Sequence, residues 1–175
     1  GHGEVKRGTV SILGIDPGFG RCGWGVIGNE MEMLAYGVIE TSPSMPIEDR
    51  LLEIHQFLSG IIKKHQPSSC GIEKLYVSRN TKTIINVAQS LGVILLTLRL
   101  ESIPFAEYTP TQVKLALTGY GHAPKEQMQT MIKRILGLQS LPQPDDAADA
   151  LAIALCHSLS SNRQKAILRS VKKGL

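Results

Sequence analysis

The chain has 175 residues, of which 42% are hydrophobic and 5% aromatic, and its formal net charge is +4. This composition supports one domain with a largely aliphatic core. No apolar run approaches the roughly 20 residues of a membrane span, and the three cysteines have neither the number of a disulfide framework nor the spacing of a zinc site. We therefore expect a cytoplasmic protein with no membrane contact and with buried thiols at Cys22, Cys70 and Cys156.

The two ends of the chain differ in composition from its middle. Residues 1–8 (GHGEVKRG) contain neither a Met nor an apolar signal region, and we interpret them as a cloning remnant or a disordered start. Residues 162–175 contain five Lys and Arg side chains and no acid, which leaves the rest of the chain with a net charge of −1. This basic C-terminal tail is either a solvated, frayed end or an electrostatic arm for a polyanion. We expect the folded domain to occupy residues 9–161.

Apolar periodicity and turn residues predict the elements in chain order. The first is a buried strand over residues 9–16 that ends at Pro17–Gly18, followed by two strands with the hairpin signal Gly28–Asn29 between them. The remaining elements are a helix over 46–65, a short strand over 69–73, a helix over 81–100, a strand over 103–108 and helices near 110–118, 124–137 and 145–160. This order predicts an α/β sheet with covering helices, in which strands 9–16 and 69–73 are parallel.

The helix predicted over residues 81–100 is apolar on more than one side. Ile84, Val87, Leu91, Ile94 and Leu98 form one stripe, and Ile85, Leu95, Leu96 and Leu100 lie beside or opposite it. Such a helix is either deeply buried or covered by a partner. In a domain of this size we expect the cover to be a second copy of the chain in a twofold homodimer.

Acidic residues end both predicted parallel strands, at Asp16 and Glu73. The functional crevice of an open α/β sheet lies at this end of its strands, and unpaired buried carboxylates cost several kcal/mol, so a role in packing is unfavourable. The last helix adds Asp146 and Asp149, which are three residues apart and project from one face. Acids in a first turn also complement the helix dipole, so the local pattern alone leaves a structural role open.

Four carboxylates at one crevice would raise one another's pKa values, and divalent cations would remove that repulsion. Mg²⁺ takes oxygen ligands together with substrate phosphate, and two such ions support in-line phosphoryl displacement. His157 lies about 16 Å from Asp146 along the last helix at 1.5 Å per residue, too far to be a ligand. We interpret His122 as a solvated loop side chain.

Six segments together resemble one known family. They are ILGIDPG, GWGVI, IEKLY…N, YTPTQVK, GYGHAPKEQM and DAADALAIA, in the order and spacing of the RuvC Holliday-junction resolvases, over residues 10–160. The resemblance implies an RNase H-like fold, with a mixed five-stranded sheet flanked by helices, for the nuclease domain of residues 9–161. It also implies a homodimer that cuts four-way junction DNA by paired symmetric nicks, usually with a branch-migration complex of the RuvA and RuvB type.

The resemblance also implies site residues and a cofactor. It implies two Mg²⁺ ions per active site, for which Mn²⁺ would substitute, and it places the catalytic and metal-binding acids on Asp16, Glu73, Asp146 and Asp149. Asp145 is then an extra acid, which we interpret as the N-cap of the last helix.

Three further positions match family residues that act on DNA. Tyr76 lies where the family often has a phenylalanine that acts on bases near the junction centre, although a half-buried loop aromatic would look the same in sequence. Lys114 and Lys125 match lysines near the active site and DNA, where an amine neutralises developing phosphate charge; the alternative for each is a solvated helix lysine. Cys22 stands where a threonine is frequent, a change that we interpret as packing.

Three alternative functions share part of this pattern. Another RNase H-like nuclease, YqgF-like or RNA-directed, would share the acids but not the apolar helix or the lysine context. The segment GIDPG also resembles the phosphate loop of actin-like and Hsp70-like ATPases, but those folds need two related domains and a second phosphate loop. A non-catalytic junction-binding module would not be expected to retain all four acids.

Overall fold

The computed structural model describes residues 10–75 and 81–174, in which five strands form one mixed sheet. The strand order is β3-β2-β1-β4-β5, and β1 is antiparallel to β2 and parallel to β4. The strands are β1 (Ser11–Asp16), β2 (Arg21–Gly28), β3 (Met33–Glu40), β4 (Ser69–Glu73) and β5 (Phe105–Tyr108). The predicted mixed sheet, including the parallel pair β1 and β4, is confirmed.

Helices cover both faces of this sheet. They are α1 (Ile47–His65), α2 (Thr81–Leu100), α3 (Pro110–Thr118), α4 (Lys125–Leu136) and α5 (Asp145–Lys173). Alternation along β1 divides the core, because successive side chains of a strand point to opposite faces. Leu13 packs with buried residues of α1 and α2, whereas Ile12 packs with those of α3, α4 and α5.

The hairpin between β2 and β3 has a longer turn than its sequence signal marks. Gly28 is the last residue of β2, and its N–H donates to the carbonyl of Glu32 over 2.9 Å. Residues 29–32 form the connection, and Met31 rather than Asn29 takes the left-handed conformation, with φ 58°.

The last helix is longer than predicted. We expected it to end near residue 160, but α5 continues to Lys173, about 43 Å for its 29 residues at 1.5 Å per residue. Leu168 and Val171 in the added turns are exposed, at 61% and 57%. The basic residues of the tail therefore lie on a helical continuation of the element that begins with the acids.

Helix α2 is apolar but covered on one side only. Ile94 and Leu98 are fully buried against α1 and the sheet, while Ile85, Leu96 and Leu100 are between 57% and 63% exposed. By length and composition alone, the window Thr83–Leu100 would be able to cross a membrane, with mean hydropathy 1.6. This corrects the expectation that no such run exists in the chain.

Candidate nuclease active site

Glycines form a flat strip across the sheet beneath α5. Gly14 of β1 is paired with Gly25 of β2 and with Gly71 of β4, and Gly23 of β2 lies opposite Asp16. A Cβ at Gly14 would collide with the carbonyl oxygen of Ala150 in α5. Glycine in a strand interior marks such a close backbone approach. The helix therefore rests directly on the backbone of the sheet.

Alanines complete this contact from the side of the helix. Ala147, Ala150 and Ala154 of α5 are completely buried. A Cβ at Gly23 would collide with the backbone of Asp146, so the first turn of α5 lies against the end of β1. The alanine-rich sequence of α5 thus brings Asp146 and Asp149 to the strand ends, and a larger residue at these contacts would hold them away.

Asp16 and Glu73, the last residues of β1 and β4, are joined by a hydrogen bond between their side chains. The pKa of Asp16 is raised to about 9, first by burial, then by this hydrogen bond and by the charges of Glu73, Asp149 and Asp146. Asp16 therefore holds its proton at neutral pH while no cation is bound. Two carboxylates share one proton where both would otherwise carry charge.

The two acids of α5 reach the same site from the other side. Asp149 is open to solvent on one side, yet partial burial and then the charge of Glu73 raise its pKa to about 6, against the opposing effect of Lys125. The Asp146 carboxylate lies 3.5 Å from Nε of Arg21. The structure thus brings together the four acids that the sequence selected.

The predicted lysines lie beside these acids. Glu73 and Asp149 border a cavity of about 280 Å³, and Lys114 of α3 and Lys125 of α4 border it as well. Helix α3 starts at a capping box in which Thr109 and Gln112 exchange side-chain and backbone hydrogen bonds of 3.1 and 2.8 Å. This local structure accounts for the segment YTPTQVK and fixes Lys114 one turn into the helix.

The interpretation of Asp145 as an N-cap is wrong. The N-cap position is Pro144, which makes no side-chain capping bond, and Asp145 is the first helical residue. Its carboxylate instead accepts a hydrogen bond from Nζ of Lys125 over 2.7 Å, which raises the pKa of Lys125. Asp145 therefore orients a lysine at the edge of the cavity.

The four carboxylates are ligands of the kind that a hard divalent cation takes, although their oxygens do not already surround one cation position. No group of three or more His, Cys, Asp or Glu residues forms a ready metal centre within residues 10–75 and 81–174. Asp16 and Glu73 lie within hydrogen-bonding reach of each other, and the charges of Asp149 and Asp146 act on Asp16 from α5. A bound cation would offset the repulsion between the carboxylates, as the proton on Asp16 does without metal. Carboxylate oxygens are also the ligands that Mg²⁺ and Mn²⁺ prefer.

The two histidines considered in the sequence analysis have other contacts. His157 is buried between β4 and β5, with Nδ1 2.7 Å from the hydroxyl of Tyr108 and Nε2 2.9 Å from that of Ser69. Burial lowers its pKa, so it stays neutral. His122 is exposed and contacts the ring of Tyr120.

Of the other sequence predictions, the one about the cysteine thiols is confirmed, and the one about Tyr76 concerns a residue outside the described structure. The thiols are free and buried, including Cys22, which packs in the core under α1 and α2. Tyr76 lies outside the described residues.

Sequence reasoning missed two features of the site. One is the glycine strip. Its signal in the sequence is the spacing of Gly23 and Gly25, two residues apart in β2, together with Gly14 inside β1 and Gly71 inside β4. The other is Arg21, which shares its face of β2 with Gly23 and Gly25, because residues two apart on a strand lie on one face.

Comparisons with known proteins point to one family. The family model described as crossover junction endodeoxyribonuclease RuvC matches residues 12–157. The RuvC of Syntrophomonas wolfei is 47% identical over 164 residues, covering 92% of this chain and 95% of its own. The RuvC of Thermotoga maritima is 44% identical over 161 residues, covering 90% and 96%.

Solved structures agree as well. Thermus thermophilus RuvC in complex with Holliday junction substrate matches with TM-score 0.85 and 34% identity, over 89% of this chain and 96% of that one. A yeast mitochondrial Holliday junction resolvase, 14% identical, matches with TM-score 0.68 over 95% and 87% and shares the fold. The fold is therefore RNase H-like, as expected, and the chain belongs to the RuvC family of crossover junction endodeoxyribonucleases, the Holliday junction resolvases.

Proposed function

We propose that this protein, acting as a homodimer, resolves four-way junction DNA by paired symmetric nicks, through metal-dependent hydrolysis at Asp16, Glu73, Asp146 and Asp149. The observation that carries the proposal is the convergence of these acids at the carboxyl ends of β1 and β4, in a chain of the RuvC family. The solved relative in complex with Holliday junction substrate supports the same choice of substrate.

The four carboxylates are the residues that would hold two Mg²⁺ ions, or Mn²⁺ in their place. Bound at such a site, these ions supply an activated water and stabilise the leaving oxygen of a phosphodiester. Asp16 must lose the proton that it shares with Glu73 before both can act as ligands. Ion binding is therefore expected to release a proton at neutral pH.

The surrounding residues bind and orient the phosphate. Lys114 and Lys125 line the same cavity as Glu73 and Asp149, where an ammonium group offsets charge that develops on a phosphoryl oxygen. Asp145 holds Lys125 at that edge. The first turn of α5 adds the positive end of its dipole beside Asp146.

The homodimer is proposed from the uncovered face of α2. Ile85, Leu96 and Leu100 form an exposed apolar surface on the side of α2 that faces away from α1. A twofold interface would cover this face in both copies at once. By the family resemblance, the proposal extends to Tyr76 as a side chain that stacks on a base, to a RuvA- and RuvB-type branch-migration complex as partner, and to a cytoplasmic location.

A substrate comparison tests the proposal. The protein is incubated with a synthetic four-way junction, a linear duplex of the same sequence and an RNA–DNA hybrid, each with and without Mg²⁺, and the cut ends are sequenced. We expect symmetric nicks in the junction alone, only with the cation. Preferential cleavage of the hybrid would contradict the proposal and favour an RNA-directed RNase H-like nuclease.

A further inference from the structure

Arg21 lies beside the four carboxylates, although no family motif selects it. It is the first residue of β2, and its Nε is 3.5 Å from Oδ2 of Asp146 and 3.4 Å from Oε1 of Glu40. The strand alternation puts Arg21 on the face that carries Gly23 and Gly25, where α5 rests. The backbone therefore directs this side chain to the face on which the first turn of α5 lies.

The two ion pairs of Arg21 are loose. Both are longer than the roughly 2.7–2.9 Å of a charge-assisted hydrogen bond. The side chains are also accessible, at 51% for Arg21, 34% for Asp146 and 66% for Glu40. Exposed pairs of this kind contribute little to stability. The guanidinium is thus held near the acids but is free to exchange a carboxylate for a better partner.

Positive charge stands on two sides of the first turn of α5. Lys125 pairs with Asp145 on one side, and Arg21 pairs with Asp146, the next residue. Neighbouring helical residues point about 100° apart, because a turn contains 3.6 residues. A DNA strand drawn across the acids needs cations along its backbone to offset their repulsion. Among the described residues at the site, Lys114 and Lys125 supply them beside α3 and α4, Lys74 lies next to Glu73, and Arg21 is the cation beside β2.

We propose that Arg21 is a further DNA-contacting residue of this site, and that its guanidinium exchanges Asp146 for a backbone phosphate of the bound strand on the β2 side of the acids. This inference rests on the proposed function. A guanidinium suits the exchange because its planar fork matches two phosphate oxygens.

Salt dependence of junction binding tests this contact apart from cleavage. Affinity for a four-way junction is measured in EDTA at several salt concentrations. Arg21→Gln is expected to reduce the slope of log affinity against log salt by about one, since each phosphate contact in a duplex contributes about 0.9. Arg21→Lys keeps the charge and is expected to retain most of the slope. Arg134→Gln removes an equal charge from an exposed position far along α4 and should leave the slope unchanged.

Two failures of this experiment have different meanings. An unchanged slope for Arg21→Gln overturns the inference, and a lowered unfolding temperature with the slope intact would show that Arg21 serves only the fold. If the wild-type protein neither binds the junction in preference to duplex nor cuts it with Mg²⁺, the proposed function fails first.

Discussion

Helices α2 and α5 are the two longest in the described chain, and they differ in how composition relates to burial. The window Thr83–Leu100 of α2 has mean hydropathy 1.6, yet only 22% of it is buried. The start of α5 contains three acids among alanines, yet nearly every residue from 147 to 158 is buried. The surface beneath each helix explains the difference, because α5 rests on glycines that admit its backbone, whereas α2 meets the protein with one face.

The comparison separates two uses of a long helix. Close fit to the sheet lets the start of α5 hold its acids near Asp16 and Glu73 despite their mutual repulsion. The open face of α2 is apolar surface available to a second copy of the chain. A substitution that alters the fit of α5 on the sheet, or the open face of α2, therefore has a predicted effect.

The largest effect is expected at the acids that α5 and the strands hold together. Asp16→Asn, Glu73→Gln, Asp146→Asn and Asp149→Asn each keep the shape of the side chain but remove a charge that cations need. Each should slow junction cleavage by about 10³-fold or more, some 4 kcal/mol of barrier at ~1.4 kcal/mol per decade. Binding of the junction without metal should survive in every variant, and it should tighten where a negative charge facing phosphates is gone. Asp16→Asn should bind as the wild type does, because Asp16 already holds a proton when no metal is bound. Nicking and gel-shift assays on one junction measure both quantities.

Asp145→Asn is the matched control in the same helical turn. It loses the ion pair with Lys125, which lies at the exposed edge of the cavity, and keeps the four acids intact. We expect less than about a tenfold loss of cleavage, a single decade of the rate scale. Normal cleavage by Asp146→Asn with an inactive Asp145→Asn would mean that the motif was aligned one residue out of register.

The open face of α2 is tested by a charge at an exposed position. Leu96→Glu should leave the monomer folded, because Leu96 is already 57% exposed. It should weaken self-association by about 3 kcal/mol or more, the cost of burying an unpaired carboxylate in an interface. Leu168→Glu, at a 61% exposed leucine of α5, is the control and should not change the sedimentation behaviour. A wild-type protein that sediments only as a monomer at micromolar concentration would contradict the dimer.

The fit of α5 is tested at the glycine strip. Gly14→Ala places a Cβ against the carbonyl oxygen of Ala150, which cannot move without the whole helix. We expect a loss of about 1–3 kcal/mol in the free energy of unfolding, the usual range for overpacking. Gly60→Ala in α1 has no atom within 4 Å of the added Cβ and should instead stabilise by about 0.5–1 kcal/mol. Urea unfolding measures the free energy of unfolding of both variants. Equal stability of the two would show that the glycine strip is not tightly packed.

The sequence predicted the elements and the four acids because both depend on local signals: apolar periodicity, and motifs with fixed spacing. It did not predict the close approach of α5, because the collision at Gly14 involves a residue 136 positions away. For the same reason the partner of Asp145 was missed, since Lys125 reaches it from another helix. The end of α5 was misplaced because burial stops near Leu159 while the helical backbone does not.

The crowding of acids under α5 also predicts how stability depends on pH. The pKa of Asp16 is about 9 in the folded protein, above its ordinary value of 3.8, so the folded state holds a proton that the unfolded state has lost. Stability of the metal-free protein should therefore fall as pH rises from about 4 to 9, by up to about 1.4 kcal/mol per pH unit for one group. Thermal unfolding in EDTA at several pH values measures this dependence. Asp16→Asn should flatten it, and a stability that rises over this range would contradict the shared proton.

The smallest effect is expected at the far end of α5, where basic residues replace the acids of its start. If this exposed extension contacts DNA phosphates, replacing Arg169, Lys172 and Lys173 by Gln should weaken binding to junction and duplex alike, because phosphate contacts carry no sequence or branch information. The log–log salt slope should fall by up to about 2.7, or about 0.9 for each lost contact. Glutamine is a good helix former, so α5 itself should persist, as circular dichroism would verify. An unchanged slope would mean that the extension is simply solvated, and that only the buried half of α5 takes part in the reaction.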